Sequence, residues 1–184
     1  STLQLRSPAS TTETPVWNTF NFTRLQADTG TLTHTSADID MGRMKVSADV
    51  RNMDPTFNRM AALSEEERTR MALIVRRQYN PNAQIKDVTA EDKAKIAQEA
   101  GINRTNCLLQ LDSGSINTWL SLSNVDSDKG GLSRTALSFQ GKSFTAYFKN
   151  HTIDPTFERL KNLQSIEMAG FGNEYGMRRT ALGG

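Results

Sequence analysis

Residues 53–60 read MDPTFNRM, and residues 153–160, one hundred positions later, read IDPTFERL. Six of eleven positions are identical between 53–63 and 153–163. Aspartate followed by proline is typical of a helix start, because the carboxylate accepts free amide hydrogens of the first turn and proline needs no partner for its nitrogen. We therefore predict helices that begin at Asp54 and Asp154, the second running to about Ala169. An ancient duplication would also explain the echo.

Two further helices are predicted from capping boxes. Ser64 is followed three residues later by Glu67, and Thr89 is followed in the same way by Asp92. In this arrangement each side chain accepts a hydrogen bond from the other residue's backbone, which satisfies two amides at a helix start.

Strand signals are fewer. Rough alternation of apolar residues on either side of Gly141-Lys142 predicts a β-hairpin. Residues 124–133, NVDSDKGGLS, predict a loop. The predicted fold class is therefore mainly α, with a small helical core, a short β-hairpin and extended arms at both ends.

The composition favours long arms. Hydrophobic residues make up 36% of the chain and the mean hydropathy is −0.54, so the core is small. We predict an extended N-terminal arm over 1–50, a mainly helical core over 51–169 and a C-terminal arm over 170–184. Residues 1–16 contain nine Ser, Thr or Pro residues and cannot fold unaided, so we expect them to contact another chain when they are ordered.

No catalytic, metal-binding or cofactor-binding residue is predicted. His34 and His151 lie far apart with no acid or nucleophile at a telling spacing, and the single Cys107 can form no intrachain disulfide. No phosphate-binding or nucleophile motif is present. We therefore predict that the protein is not an enzyme, that it needs no cofactor and that it does not enter a membrane.

Arginine is more informative than the net charge of +2. Six arginines and no lysine lie within 51–80, and forked guanidinium donors match phosphate. On a helix Arg70 and Arg77 lie within about 20° of each other, so they could form one strip, with Arg76 at its boundary. Arg51 or Arg59 would extend that strip from the preceding turn. The alternative is a solvated helix face with intrahelical ion pairs.

Several segments, in order, resemble the coat proteins of potyvirus-type flexuous filamentous plant viruses. The segments are NTFNFTRL (18–25), KDVTAED (86–92), SGSINTW (113–119), FTAYFKNHTIDPTFERL (144–160) and EYGMRRTAL (174–182). The resemblance implies a helical-core coat subunit whose arms grip neighbouring copies around single-stranded RNA. It also implies an RNA pocket to which Ser113 would contribute, with Arg178 or Arg179 in place of the family's arginine.

The sequence thus predicts a viral structural protein, a coat or nucleocapsid subunit that polymerises with itself around nucleic acid, with single-stranded RNA as the expected partner. Such a protein would be found in the virion and would assemble in the host cytoplasm. The candidate nucleic-acid-binding residues are Arg70, Arg76, Arg77, Ser113, Arg178 and Arg179. The alternative is a non-enzymatic helical interaction module that binds other proteins and no nucleic acid.

Overall fold

The computed structural model describes residues 2–6, 17–26, 29–57, 63–157, 163–171 and 178–183. Over these ranges, nine strands form one antiparallel sheet in which each strand pairs with the next along the chain. The strands are β1 (Thr2–Arg6), β2 (Trp17–Gln26), β3 (Thr31–Asp40), β4 (Met44–Met53), β5 (Ile102–Asp112), β6 (Ile116–Ser127), β7 (Gly130–Gly141), β8 (Thr145–Ile153) and β9 (Arg178–Gly183). The helices are α1 (Glu65–Arg77), α2 (Ala90–Ile96) and α3 (Ser165–Phe171), and a short 3-10 turn spans Ile85–Asp87.

The prediction of a mainly α fold, which the coat-protein resemblance also implied, is wrong, because the chain is mostly β. The pattern of apolar residues did not predict these strands, because polar side chains occupy many positions on the buried side of the sheet. His34 and Ser36 in β3 and Asp49 in β4 are almost completely buried, while Val50 is exposed. Burial therefore alternates along these strands although hydrophobicity does not.

The two capping boxes are confirmed. Ser64 accepts from the Glu67 amide at 3.1 Å and donates its own amide to that glutamate at 2.9 Å, at the start of α1. Thr89 and Asp92 make the same exchange at the start of α2, at 3.1 and 3.0 Å. Local hydrogen-bonding chemistry thus determines both helix starts.

The hairpin around Gly141-Lys142 is also confirmed, as strands β7 and β8. The loop predicted over 124–133 is wrong, since β6 continues to Ser127 and β7 begins at Gly130. Gly130 has a φ of 102°, a backbone conformation that suits glycine, so a tight turn replaces the expected loop.

Asp54 and Asp154 do not start helices. Asp54 begins a turn in which its carbonyl accepts from the Phe57 amide at 3.0 Å, and its carboxylate accepts from the Thr31 amide at 2.7 Å. The carboxylate of Asp154 accepts from the Gly131 amide at 2.9 Å in the same manner. Each aspartate therefore fixes a turn to the start of a strand, and the helices begin later, at Glu65 and Ser165.

The repeated motif belongs to a larger structural repeat. We call β2, β3, β4, their turn and the start of α1 the first repeat, and β6, β7, β8, their turn and the start of α3 the second repeat. The strand registers coincide: Leu25 lies opposite Leu32 as Val125 lies opposite Leu132. Leu32 also lies opposite Met53, as Leu132 lies opposite Ile153. Equivalent positions differ by one hundred throughout, so the DPTF echo marks two copies of one unit.

Each repeat has its own apolar core on the side of the sheet that the helices cover, which we call the inner face. The first core joins Leu32, Met53, Phe57 and Leu63 to α1 and α2, and the second joins the equivalent Leu132, Ile153, Phe157 and Leu163 to α3 and β5. The opposite side, the outer face, carries no helix among the described residues.

The boundary predicted at residue 50 falls inside β4, and the C-terminal segment predicted as an arm contributes β9 to the sheet. Residues 7–16, Arg59 and residues 172–177 lie outside the described ranges, so the predictions that fall on them stay predictions.

Candidate assembly and nucleic-acid surfaces

Part of the outer face is apolar across the width of the sheet, while the row formed by Thr105, Asn124, Ser133 and Thr152 on the same face is polar. One cross-strand row contains seven apolar residues on seven successive strands. These are Ile39, Val46, Leu109, Leu120, Leu137, Phe148 and Leu182. Large side chains in this row and the adjacent rows are well exposed, including Leu122 at 42% and Leu182 at 76%. A contiguous apolar surface of this kind marks an interaction site on a globular protein.

Two strands end the sheet. In the described part of the chain β1 pairs only with β2, and β9 pairs only with β8. The backbone groups on the far side of an edge strand form a template for another strand. The outer face and the two edges are therefore the surfaces suited to assembly.

The inner face is only partly covered. Beyond the helices, a cleft of about 840 Å³ lies over the middle strands. Its lining includes Arg77 from α1, Arg43 from the β3–β4 turn, Trp119 from β6, and the amides of Asn117 and Gln140. An arginine, an aromatic ring and side-chain amides can together contact phosphate, stack on a base and hydrogen-bond to its edge.

The three arginines predicted on α1 have different surroundings. Arg70 pairs with Glu66 at 3.2 Å across one exposed helical turn. Arg76 pairs with the buried Asp92 at 2.8 Å. Arg77 donates from Nε to the Ala83 carbonyl at 3.2 Å and lines the cleft.

The other predicted residues lie elsewhere. Ser113 is in the β5–β6 turn, where its hydroxyl donates to the Ile116 carbonyl at 3.0 Å and accepts from the Ile116 amide at 3.2 Å. The adjacent Asp112 lines the same cleft as Arg77. Arg178 and Arg179 are exposed on β9 at the sheet edge, on opposite faces. The predicted residues thus lie on three separate elements. Among them only Arg77 lines the cleft, where it is joined by Asp112, the residue before Ser113.

Arg51, which we expected to extend the arginine strip, does not reach the surface. It is 1% exposed and forms an ion pair with the buried Glu99. Glu99 also accepts from Arg104, which in turn binds Glu167 of α3. Burial lowers the pKa of Arg104, but the carboxylates of Glu167 and Glu99 outweigh it and raise the pKa above its ordinary value. These charges hold the sheet to the helices.

A second buried chain runs across the inner face. The His34 ring contacts the Asp49 carboxylate, Asn106 donates to Asp49 at 3.1 Å, and Ser123 donates to Asn106 at 2.8 Å. His34 and Ser123 are 4% and 5% exposed, which leaves no access for a substrate. The arrangement satisfies buried polar groups rather than forming a catalytic triad. Sequence reasoning missed it because its members come together only through strand pairing.

Next to this chain, Arg134 lies 4.2 Å from the ring centre of Tyr79 and donates to the Gln78 carbonyl at 2.8 Å. Burial lowers the pKa of Arg134 and raises the pKa of Tyr79. The contact fixes the end of α1 on β7, beside the cleft.

Within the described ranges, no group of three or more His, Cys, Asp or Glu residues is placed to hold a metal ion. No helix there is long and apolar enough to cross a membrane. Comparison with known proteins found no matching family model, no matching curated protein and no matching solved structure.

Proposed function

We propose that this chain is a coat or nucleocapsid subunit that assembles with copies of itself around nucleic acid, with single-stranded RNA as the expected cargo. The observation that carries the proposal is the apolar row across the outer face, from Ile39 on β3 to Leu182 on β9. An antiparallel sheet with one face in solvent normally has polar residues there. Part of this face carries a continuous apolar row instead, so that part suits burial against another copy.

A second copy is the occupant that best fits this face. Few charged side chains interrupt it: Arg24 and Asp126 lie near one end of their strands, and Arg178 lies at the edge. Two such faces can therefore pack against each other without burying an unpaired charge, as the sheets of a sandwich do.

The cleft on the inner face is the proposed contact with nucleic acid. Arg77 and Arg43 supply positive charge, and Trp119 supplies a ring on which a base can stack. Acidic residues also line it, among them Asp38 and Asp112, so the cleft suits a base and its adjacent phosphate rather than a long phosphate track. This supports sequence-independent binding of a single strand.

The test is the mass of the purified native chain together with its absorbance at 260 and 280 nm. A large particle with excess absorbance at 260 nm would support the proposal. A monomer free of nucleic acid would contradict it. Large particles free of nucleic acid, even after incubation with single-stranded RNA at low salt, would favour the protein-interaction module.

A further inference from the structure

The contact between the two repeats has a structural counterpart at β9, the last strand that the structure describes. Strand β5 follows the first repeat and lies between β4 and β6, so it joins that repeat to the second. Strand β9 follows the second repeat and pairs with β8 in the way that β5 pairs with β4. Among the described residues no strand pairs with the edge of β9 that faces away from β8.

The strand registers show which residue of β9 is equivalent to which residue of β5. Arg104 of β5 lies opposite Arg51, and Arg179 of β9 lies opposite His151, which is the residue equivalent to Arg51. Arg179 therefore occupies in β9 the position that Arg104 occupies in β5.

The strand that β9 would meet is β2, the equivalent of β6. Arg104 pairs with Val125 of β6, whose equivalent in β2 is Leu25. Strand β1 covers β2 only over Trp17–Asn21, and among the described residues no strand lies on that side of Arg24–Gln26. In this register Arg178–Leu182 of β9 would lie opposite Phe22–Gln26, the part of β2 that β1 leaves uncovered, and only Gly183 would meet a residue that β1 already pairs.

The contact between the two repeats also contains an ion pair, and both of its positions have equivalents at β9 and α1. At the internal contact Arg104 binds both carboxylate oxygens of Glu167, at 2.7 and 3.0 Å. The equivalent of Glu167 in the first repeat is Glu67. Its carboxylate caps α1 through the Ser64 amide at 2.9 Å, just as Glu167 caps the Gln164 amide at 2.8 Å. Glu67 is partly exposed and Arg179 is exposed, so both are accessible to another chain.

We infer that copies of this chain join head to tail, with β9 of one copy pairing with β2 of the next and Arg179 binding Glu67 of that next copy. The inference deepens the proposed self-assembly and rests on it. Arg179 then belongs to the assembly contact rather than to the nucleic-acid site. Because the two surfaces differ, the contact repeats in one direction and builds a filament or a ring rather than a closed dimer.

Charge reversal provides a sharp test. Arg179→Glu and Glu67→Arg should each prevent assembly when present alone, because each places like charges at every contact. A mixture of the two variants should assemble, since every contact between unlike copies again pairs opposite charges. The double variant should assemble by itself for the same reason. Sedimentation velocity measures the particle mass, and far-UV circular dichroism establishes that each variant is folded.

The matched controls are Lys142→Glu, in the β7–β8 turn, and Glu66→Arg, which adjoins Glu67 on α1. Both make the same charge changes at residues outside the proposed pair, since Glu66 is turned about 100° from Glu67 around the helix, and should assemble like the wild type. If Glu67→Arg does not fold, Glu67→Gln replaces it, since glutamine keeps the capping acceptor; this variant should weaken assembly.

The outcomes separate the two proposals. Normal assembly of Arg179→Glu, or a mixture that stays monomeric while both variants are folded, overturns the head-to-tail contact and leaves the proposed function intact. A wild-type chain that never assembles overturns both.

Discussion

Arg104 of β5 donates to both carboxylate oxygens of Glu167 in α3, at 2.7 and 3.0 Å, and both side chains are fully buried. Arg104 also donates to Glu99 at 2.7 Å. Since β5 follows the first repeat and α3 belongs to the second, this pair connects the two halves of the chain. The strand that follows the first repeat is therefore bound to the helix of the second repeat by a buried ion pair.

Glu167→Gln should destabilise the fold by about 3 kcal/mol, because it leaves the buried Arg104 short of one negative partner while keeping the side-chain shape. Glu66→Gln removes only an exposed i,i+4 pair with Arg70, and should cost about 0.3–0.5 kcal/mol. Urea denaturation of both variants measures the difference. Equal effects would mean that the buried pair contributes no more than a surface one.

Gly30→Ala and Gly130→Ala should both be strongly destabilising. Each glycine has a positive φ, of 85° and 102°, and an added Cβ would lie 2.8 Å from Phe57 N or Thr156 Oγ1 respectively. Gly114→Ala is the matched control, since its φ is also 85° but no atom lies within 4 Å of its Cβ. The control should lose about 1–2 kcal/mol for its φ alone, and the other two should lose more. Three equal losses in urea denaturation would argue against close packing of both DPTF turns.

Tyr79 should make the fold sensitive to alkali. Its hydroxyl lies away from solvent, and burial, with a smaller contribution from Glu167, raises its pKa above the ordinary value of about 10. The protonated form is thus favoured in the folded state, so this stabilisation is complete below about pH 10 and is lost as the pH rises further. Denaturant midpoints should fall more steeply above about pH 10 for the wild type than for Tyr79→Phe. Parallel curves for the two proteins would contradict this role.

Leu122→Lys should reduce assembly without unfolding the subunit. Leu122 is 42% exposed on the outer face, so the change should alter monomer stability by no more than about 0.5 kcal/mol. Asn124→Lys adds the same charge two residues along the same strand, at a position that is already polar and exposed, and should assemble more readily. Light scattering gives the mass of each variant. Loss of assembly in both would point to a general charge effect rather than to burial of the apolar face.

Arg77→Gln should weaken RNA binding for all sequences alike, because a phosphate contact reads no bases. The slope of log affinity against log salt should fall by about 0.7 for the lost contact on a single strand. Arg70→Gln, which changes a residue held by Glu66 outside the cleft, should leave that slope unchanged. Fluorescence anisotropy with a labelled single-stranded RNA measures both. An unchanged slope for Arg77→Gln would remove the cleft from the binding surface.

Helix starts were readable from the sequence because their signals are local. Ser64 with Glu67, and Thr89 with Asp92, carry the whole capping interaction within four residues. Asp54 misled the prediction for a related reason. The Asp-Pro pair suits a tight turn as well as a helix start, and the choice depends on Thr31, a residue more than twenty positions away.

The sheet was not predicted because its inner face buries polar and charged residues beside the two apolar cores, while its outer face exposes large apolar side chains. The inner face buries charged and polar residues such as Arg51 and Arg104, whereas the outer face exposes Phe20 and Leu122. Burying an arginine is acceptable only when a carboxylate meets it, and the partners of Arg104 come from α3 and from the segment before β5. Without the strand pairing, neither the ion pairs nor the apolar row could be recognised.

The most direct test of the coat-subunit account is nuclease protection. Purified assembled particles are treated with ribonuclease, sedimented, and extracted to find whether RNA fragments remain with the protein. The account predicts protected RNA in the sedimented particles of the wild type, and none with the unassembled Arg179→Glu variant. Wild-type chain that stays monomeric, or particles whose RNA is fully digested, would contradict it.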